Sequence, residues 1–369
     1  SGVFRDGFKV TATVPVVAYQ FNLYETIGSA STDASLLLPD HALFNQYYGM
    51  TYSGDGGGGS EPFLAVYAVE SETEVTVTPA ADVSAAAQGS RVGFGFTRAG
   101  TPLTVTIEPM EVLVVRGASG SADLTGSLIQ ASAPVGVFGG NRSTQVPSGR
   151  DFRDHLEQQT FPRQALGTRY VVAKSRDRGN PPVADQVRVL ADEDSTTVRF
   201  DPPLDGVSQV SLDAGQFQEF SLRQNTEISS DGPIMVGQFF AGSNGDALNS
   251  EGDPTFIIQV PIEQFRLHYV FLAPPTYTTD YVAITAPPSP SIEIDGVALE
   301  LEQLAVGQTG LSVTVVQIPD GEHRLTSDQN CGVTVYGFGG PPQDDPNNVQ
   351  NVSYGYPAGL NLVEINPKE

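Results

Sequence analysis

The sequence predicts an all-β fold: three tandem ~100-residue β-sandwich-like modules plus a partial N-terminal module, arranged linearly or as a closed, propeller-like array. Three observations predict it. A breaker followed by an apolar strand recurs four times: Pro15-Val-Val-Ala-Tyr-Gln-Phe21, Pro134-Val-Gly-Val-Phe-Gly-Gly140, Pro233-Ile-Met-Val-Gly-Gln-Phe239 and Gly332-Val-Thr-Val-Tyr-Gly-Phe338, with first residues 119, 99 and 99 positions apart. A second pattern keeps step with it: Pro39-Asp-His-Ala-Leu-Phe-Asn-Gln-Tyr-Tyr48, Pro162-Arg-Gln-Ala-Leu-Gly-Thr-Arg-Tyr-Val171 and Pro261-Ile-Glu-Gln-Phe-Arg-Leu-His-Tyr-Val270, at intervals of 123 and 99. Finally, short β-branched runs at 73–78, 103–107, 111–115, 186–190, 196–200 and 312–316 alternate or run apolar over strand lengths, separated by Gly, Pro, Asp and Ser.

Taken in order, residues 1–30 read as the closing strand of a truncated module. Modules follow at 31–145, 146–245 and 246–340, with C-terminal strands at 341–369. Within a module, the Pro-led opener ends in an aromatic strand. A pair of strands joined by an acidic or proline-rich turn comes next: 65–69 with 75–77, 187–189 with 198–200, and 282–284 with 292–294. A turn such as Asp213-Ala-Gly215 or Pro319-Asp-Gly321 leads to another strand, and the closer ends the module. Helix is scarce, with short turns expected at 40–46 and 151–160. An incomplete first module leaves a raw sheet edge, which the C-terminal strands or a neighbouring chain are expected to cover.

Composition fits this plan. The 39 glycines and 27 prolines suit many turns, and 19 Phe with 13 Tyr supply core bulk despite 39% hydrophobic content. With 19 basic and 43 acidic residues the net charge is −24, which repels phosphate backbones and anionic lipids and argues against nucleic-acid or membrane-surface roles. No apolar run approaches the roughly 18 residues that span a bilayer. The single cysteine, Cys331, rules out an internal disulfide and reads as a small core hydrophobe.

Catalytic signatures are missing. His41, His155, His268 and His323 stand in no metal-ligand spacing, and there is no Gly-x-Ser-x-Gly, Walker loop or dinucleotide fingerprint. No catalytic or cofactor-binding residue is assigned. Acidic clusters carry the one chemical suggestion, because oxygen ligands on turning backbone suit calcium. The candidates are Asp192 and Asp194 at a strand turn, and Asp246, Glu251 and Asp253 in one Gly-rich loop; Asp344-Asp345 lies in another. None follows the twelve-residue calcium-loop pattern, and solvated turns are the alternative reading. Four loops, at 53–60, 139–150, 242–253 and 339–351, are small and polar. If the modules stack in register, those after the closers share one face, the natural binding face. Asn141 and Asn351 begin short glycosylation sequons.

Several of these motifs resemble one family. Pro15-Val-Val-Ala-Tyr-Gln-Phe-Asn22, Asp33-Ala-Ser-Leu-Leu-Leu-Pro39, Leu124-Thr-Gly-Ser-Leu-Ile129, Asp154-His-Leu-Glu-Gln158 and Val352-Ser-Tyr-Gly-Tyr-Pro357 are similar to the IgGFc-binding protein N-terminal domain family, over nearly the whole chain. The resemblance is to the bacterial, myxobacterial-type surface-protein version. It implies an extracellular protein with an adhesive or structural part, and supplies no catalytic residue and no antibody contact. Members usually carry a cysteine where Arg153 stands, and a further module upstream.

The expectation is therefore a non-enzymatic extracellular or cell-surface adhesion or scaffold protein. It binds a protein or glycan partner through loops on a rigid β framework. Two rivals stay open: a subunit that self-associates into filaments or layers by strand donation, and a carbohydrate-active protein.

Overall fold

The computed structural model describes residues 1–22, 31–54, 59–150, 152–178, 182–242, 251–300, 304–340 and 351–368. The chain opens with β1 (Gly2–Phe4), β2 (Ala18–Asn22), β3 (Asp33–Leu37), β4 (Phe44–Tyr48), β5 (Pro62–Ala68), β6 (Thr73–Thr78), β7 (Leu103–Ile107), β8 (Val112–Arg116) and the long β9 (Leu128–Thr144). Next come β10 (Asp154–Gln159), β11 (Arg169–Val172), β12 (Asp185–Ala191), β13 (Thr196–Leu204), β14 (Val207–Leu212), β15 (Phe217–Leu222), β16 (Thr226–Ser230), β17 (Ile234–Phe240) and β18 (Thr255–Ile258). The last group is β19 (Arg266–Ala273), β20 (Thr279–Ala286), β21 (Ile292–Ile294), β22 (Val297–Ala298), β23 (Leu304–Ala305), β24 (Ser312–Ile318), the long β25 (Gly321–Phe338) and β26 (Ser353–Pro357).

The structure is all-β, with several antiparallel sheets, and one strand order is met three times. It reads β4–β9–β6–β7, then β11–β16–β13–β14, then β19–β25–β21–β22. The sheet packed against each reads β8–β5–β9–β10, then β15–β12–β17–β18, then β24–β20–β25–β26. Alternation drives this packing. Leu64, Val66, Val75, Val77, Leu113 and Val115 fill the first core; Val187, Val189, Val198, Phe200, Phe220 and Ile228 the second; Phe271, Val282, Ile284, Leu325 and Val335 the third. Burying each such Val, Leu or Ile is worth about 1.5–3 kcal/mol over leaving it in water.

The repeated breaker is the corner between sheets. In β9, residues 128–131 pair with β6 and residues 135–141 with β5, and Pro134 stands at the changeover. Pro233 separates β16 from β17, and Gly332 lies where β25 leaves β21 for β20. Proline withholds a ladder donor and glycine bends freely, so each suits a strand that switches sheets. The second repeated motif is a turn. Pro39, Pro162 and Pro261 are extended, and each precedes one 3-10 turn leading into β4, β11 or β19.

Four details depart from the sequence reading. Residues 151–160 hold β10, not a helical turn, because Leu156 to Gln159 pair with β9. The turn at 40–46 is real but short: a 3-10 turn at Asp40–Ala42, then β4. The expected pairs 65–69 with 75–77, 187–189 with 198–200 and 282–284 with 292–294 do not form. In each case the two strands lie in opposite sheets, since both present alternate residues to the same core and must reach it from opposite sides. Nor does the loop begin at Gly139, because β9 runs on to Thr144. The raw edge is covered only in part. Among the described residues β2 pairs with β3 alone, and β26 pairs with β25 while packing its rings against β2, with Tyr19–Tyr356 centroids 4.4 Å apart. Residues 8–17 join no strand, and Phe8 is 97% exposed.

Candidate functional site

The strands β3, β10, β18 and β26 pack on one another. Their N-terminal ends meet at one place. Thr32 donates its backbone N–H to Asp154 Oδ1 at 2.9 Å and its hydroxyl to the Ser353 carbonyl at 2.8 Å. The Asp253 N–H bonds Ser353 Oγ at 2.9 Å, and that hydroxyl donates to the Asp253 carbonyl at 2.8 Å. The segments entering these strands also touch: Gly242 N donates to Val146 O, Gly252 N to Gly339 O, and Gly339 N to Val352 O. The described ends of the loops after β9, β17 and β25 thus leave the frame from one end.

Polar groups hold this junction. Gln158, buried in β10, donates its Nε2 to the carbonyls of Ala34, Phe256 (2.7 Å) and Gly355 (3.1 Å), one on each of the other three strands. Asp33 accepts from Thr255 Oγ1 and from the N–H groups of Ala34, Glu157 and Phe256, tying β3 to β10 and β18. Burial pushes the Asp33 carboxyl well above the ordinary range, against those donors. Asp154 and Asp253 are buried too, and desolvation raises both.

Two arginines pin the neighbouring sheets. Arg188, on the outward face of β12, donates to Asp123 Oδ2 and Glu219 Oε2, each at 2.7 Å, and to the Thr51 carbonyl at 2.8 Å. Its guanidinium lies 4.2 Å from the Tyr52 ring centroid. Burial disfavours the Asp123 anion, but Arg188 and Thr125 outweigh it and hold that carboxyl well below its usual range. Arg178 donates to the carbonyls of Ala241 and Glu251 and lies 4.5 Å over Phe338.

The sequence-predicted ligands are scattered. Asp192 is buried and held by Arg163 at 2.5 Å and Lys368 at 2.6 Å. Asp194 is exposed and accepts from Ala214 N. Glu251 lends its carbonyl to Arg178, and Asp253 faces the strand junction. Asp246, Asp344 and Asp345 lie outside the described residues, as do parts of all the post-closer loops except the first and residues 55–58 of the Gly-rich one. Among the described residues no group of three or more His, Cys, Asp or Glu is placed to hold a metal. Cys331 is buried and unpaired, and burial pushes its thiol up to about 11. Asn141 spends its amide on Tyr52 O and Ser60, so its side chain is built into the frame.

Sequence reasoning passed over Asp154 and Gln158 as site residues. A signal existed: Asp154 and Asp253 both stand eight positions before a turn proline, Pro162 and Pro261.

The model of the IgGFc binding protein family matches residues 33–337. The chain belongs to this family. The human IgGFc-binding protein is 25% identical over 321 residues, covering 84% of this family member. The chain spans 5% of that relative's length. No solved structure matches. Among the described residues no helix is long and apolar enough to cross a membrane.

Proposed function

We propose that this family member is a non-catalytic display scaffold, extracellular or cell-surface, that binds a protein or glycan partner through loops at one end of a rigid β frame. The carrying observation is the convergence of Thr32, Asp154, Asp253 and Ser353, which gathers the loops after β9, β17 and β25. In this reading the chain is three tandem sandwiches, near 31–145, 146–245 and 246–340. The thrice-met strand order supports it, with β10, β18 and β26 each completing the sandwich before it. Family membership favours adhesion over turnover.

The test is binding of the purified chain to immobilised glycans, matrix proteins and immunoglobulin Fc, with and without residues 148–150 replaced by a Gly-Ser linker. Saturable binding that the replacement abolishes at unchanged Tm is expected. Binding indifferent to loop replacement, or turnover of a polysaccharide, contradicts the reading. Self-association by strand donation is the second reading. It is favoured by an edge of β2 that pairs with no strand among the described residues, and by exposed Val10, Val14 and Val16 beside it. A mass that rises with concentration supports it, and a constant mass does not.

A further inference from the structure

Three carboxyls lie buried where β3, β10, β18 and β26 begin, and they are not equivalent. Asp33 has a donor on each oxygen: Ala34 N and Thr255 Oγ1 on one, Glu157 N and Phe256 N on the other. Asp154 Oδ1 accepts from Thr32 N at 2.9 Å and His155 N at 2.7 Å, and the Ser31 side chain also hydrogen-bonds this carboxyl. Among the described residues, Asp154 Oδ2 and Asp253 Oδ1 are both buried and have no hydrogen-bond donor. The two carboxyls nevertheless sit within hydrogen-bond reach of each other. Their backbones are drawn together through Thr32 and Ser353, which bond to Asp154, to Asp253 and to one another.

Two ionised carboxylates in contact without donors repel in a low-dielectric setting, and a single proton turns that contact into a charge-assisted O–H···O⁻ bond. We propose that Asp154 and Asp253 hold one proton between them, forming a proton-binding site directly beneath the loop-bearing end of the frame. The O–H of the neutral carboxyl donates to the ionised partner, filling both vacant acceptor positions. Ser31 gives Asp154 a side-chain hydrogen bond, but among the described residues no donor reaches Asp154 Oδ2 or Asp253 Oδ1. Asp33 on β3 adds negative charge, and Tyr277, ahead of β20, feels all three acids. Arg178, ahead of β12, is the cation acting on Asp253, but its guanidinium hydrogen bonds go to the carbonyls of Ala241 and Glu251. On β10 itself, His155 turns to Glu157 at 3.3 Å. Desolvation raises both members of the pair. Because the folded state favours the protonated form, the stability it contributes is complete below the ordinary carboxylate range. It is lost as pH rises through the raised value. Loss of the proton sets β10 against β18 and loosens the roots of the loops after β9 and β17.

The test is thermal unfolding of the full chain at pH 5 to 9, in chelator and in added calcium, with Asp253→Asn and Asp154→Asn beside wild type. The expected result is a wild-type Tm that falls across this range, unmoved by chelator. In Asp253→Asn the amide supplies a permanent donor, so Tm at pH 8 should match or exceed wild type and the pH slope should flatten. A chelator-induced drop that calcium reverses would put a cation, not a proton, between the carboxyls and overturn the proposal. An Asp253→Asn loss of Tm that is equal at every pH would also overturn it. A readout that does not depend on folding of the variants is carboxyl ¹³C NMR of aspartate-labelled wild type. One buried aspartate of this pair retaining a protonated shift above pH 6 supports the shared proton, and two ionised shifts from pH 5 upward refute it.

Discussion

Gln158 Nε2 lies 2.7 Å from the carbonyl oxygen of Phe256, and the same amide serves Ala34 and Gly355. Its two N–H groups are thus shared among carbonyls from three strands that share no ladder with its own. A buried acceptor left without its donor costs about 1–3 kcal/mol. Gln158→Ala removes two N–H donors from these three acceptors and leaves a cavity. We predict a fall of at least about 2–3 kcal/mol in unfolding free energy, read as a lower denaturant midpoint. A midpoint within error of wild type would show that the hub is ornamental.

Arg188 should be the least replaceable cation. Removing one partner of a buried ion pair leaves the other charge uncompensated and costs about 3–5 kcal/mol. Arg188→Met strands the buried side of Asp123 and partly exposed Glu219. The double variant Arg188→Met with Asp123→Leu should recover part of the lost Tm. Additive losses in that cycle would argue against direct coupling.

Asp280 gives a pH signature of its own. Burial, opposed by the Tyr354 hydroxyl at 2.5 Å and aided by nearby Asp320, pushes its carboxyl up to about 7. The folded value exceeds the unfolded value of about 3.9, so this contribution to stability is complete at acid pH and lost as pH rises through 7. Tm should decline from pH 5 to pH 8, and Asp280→Asn should shrink that decline. A variant with the wild-type slope would remove Asp280 from the account.

Gly140 is a steric prediction. A Cβ added there would sit 1.8 Å from the Leu156 carbonyl oxygen, and one added at Gly139 would sit 2.1 Å from that of Met50. Gly140→Ala must therefore push β10 off β9. It should lower Tm by more than Gly149→Ala, although the latter pays the strain of a positive φ, since Gly149 has open space around it. Equal effects would mean that the β9–β10 approach is looser than described.

Much of the fold was legible because the chain repeats its breakers. Pro134, Pro233 and Gly332 are conspicuous in sequence, and each marks a corner between sheets. Core strands such as β6 showed plain alternation. The junction was opaque for a physical reason. β10 reads Asp-His-Leu-Glu-Gln-Gln and has no apolar period, because its side chains meet other strands through hydrogen bonds rather than one greasy face. Asp192-Glu-Asp194 looked like a free acidic turn, whereas Asp192 is buried against Arg163 and the distant Lys368, a tertiary partnership that no local pattern announces. Gly139-Gly140 resembled the start of a loop because glycine signals turns, yet here it admits neighbouring backbone within a strand.

The central claim is that loops far apart in sequence leave one end of a rigid frame. Its most direct test is a spin-label distance between Ser148→Cys and Glu251→Cys, feasible because the only native cysteine, Cys331, is buried. A single narrow distribution at the short end of the measurable range is expected. A long or broad distribution would mean that the loops after β9 and β17 do not share a face, and the display reading would fail with it.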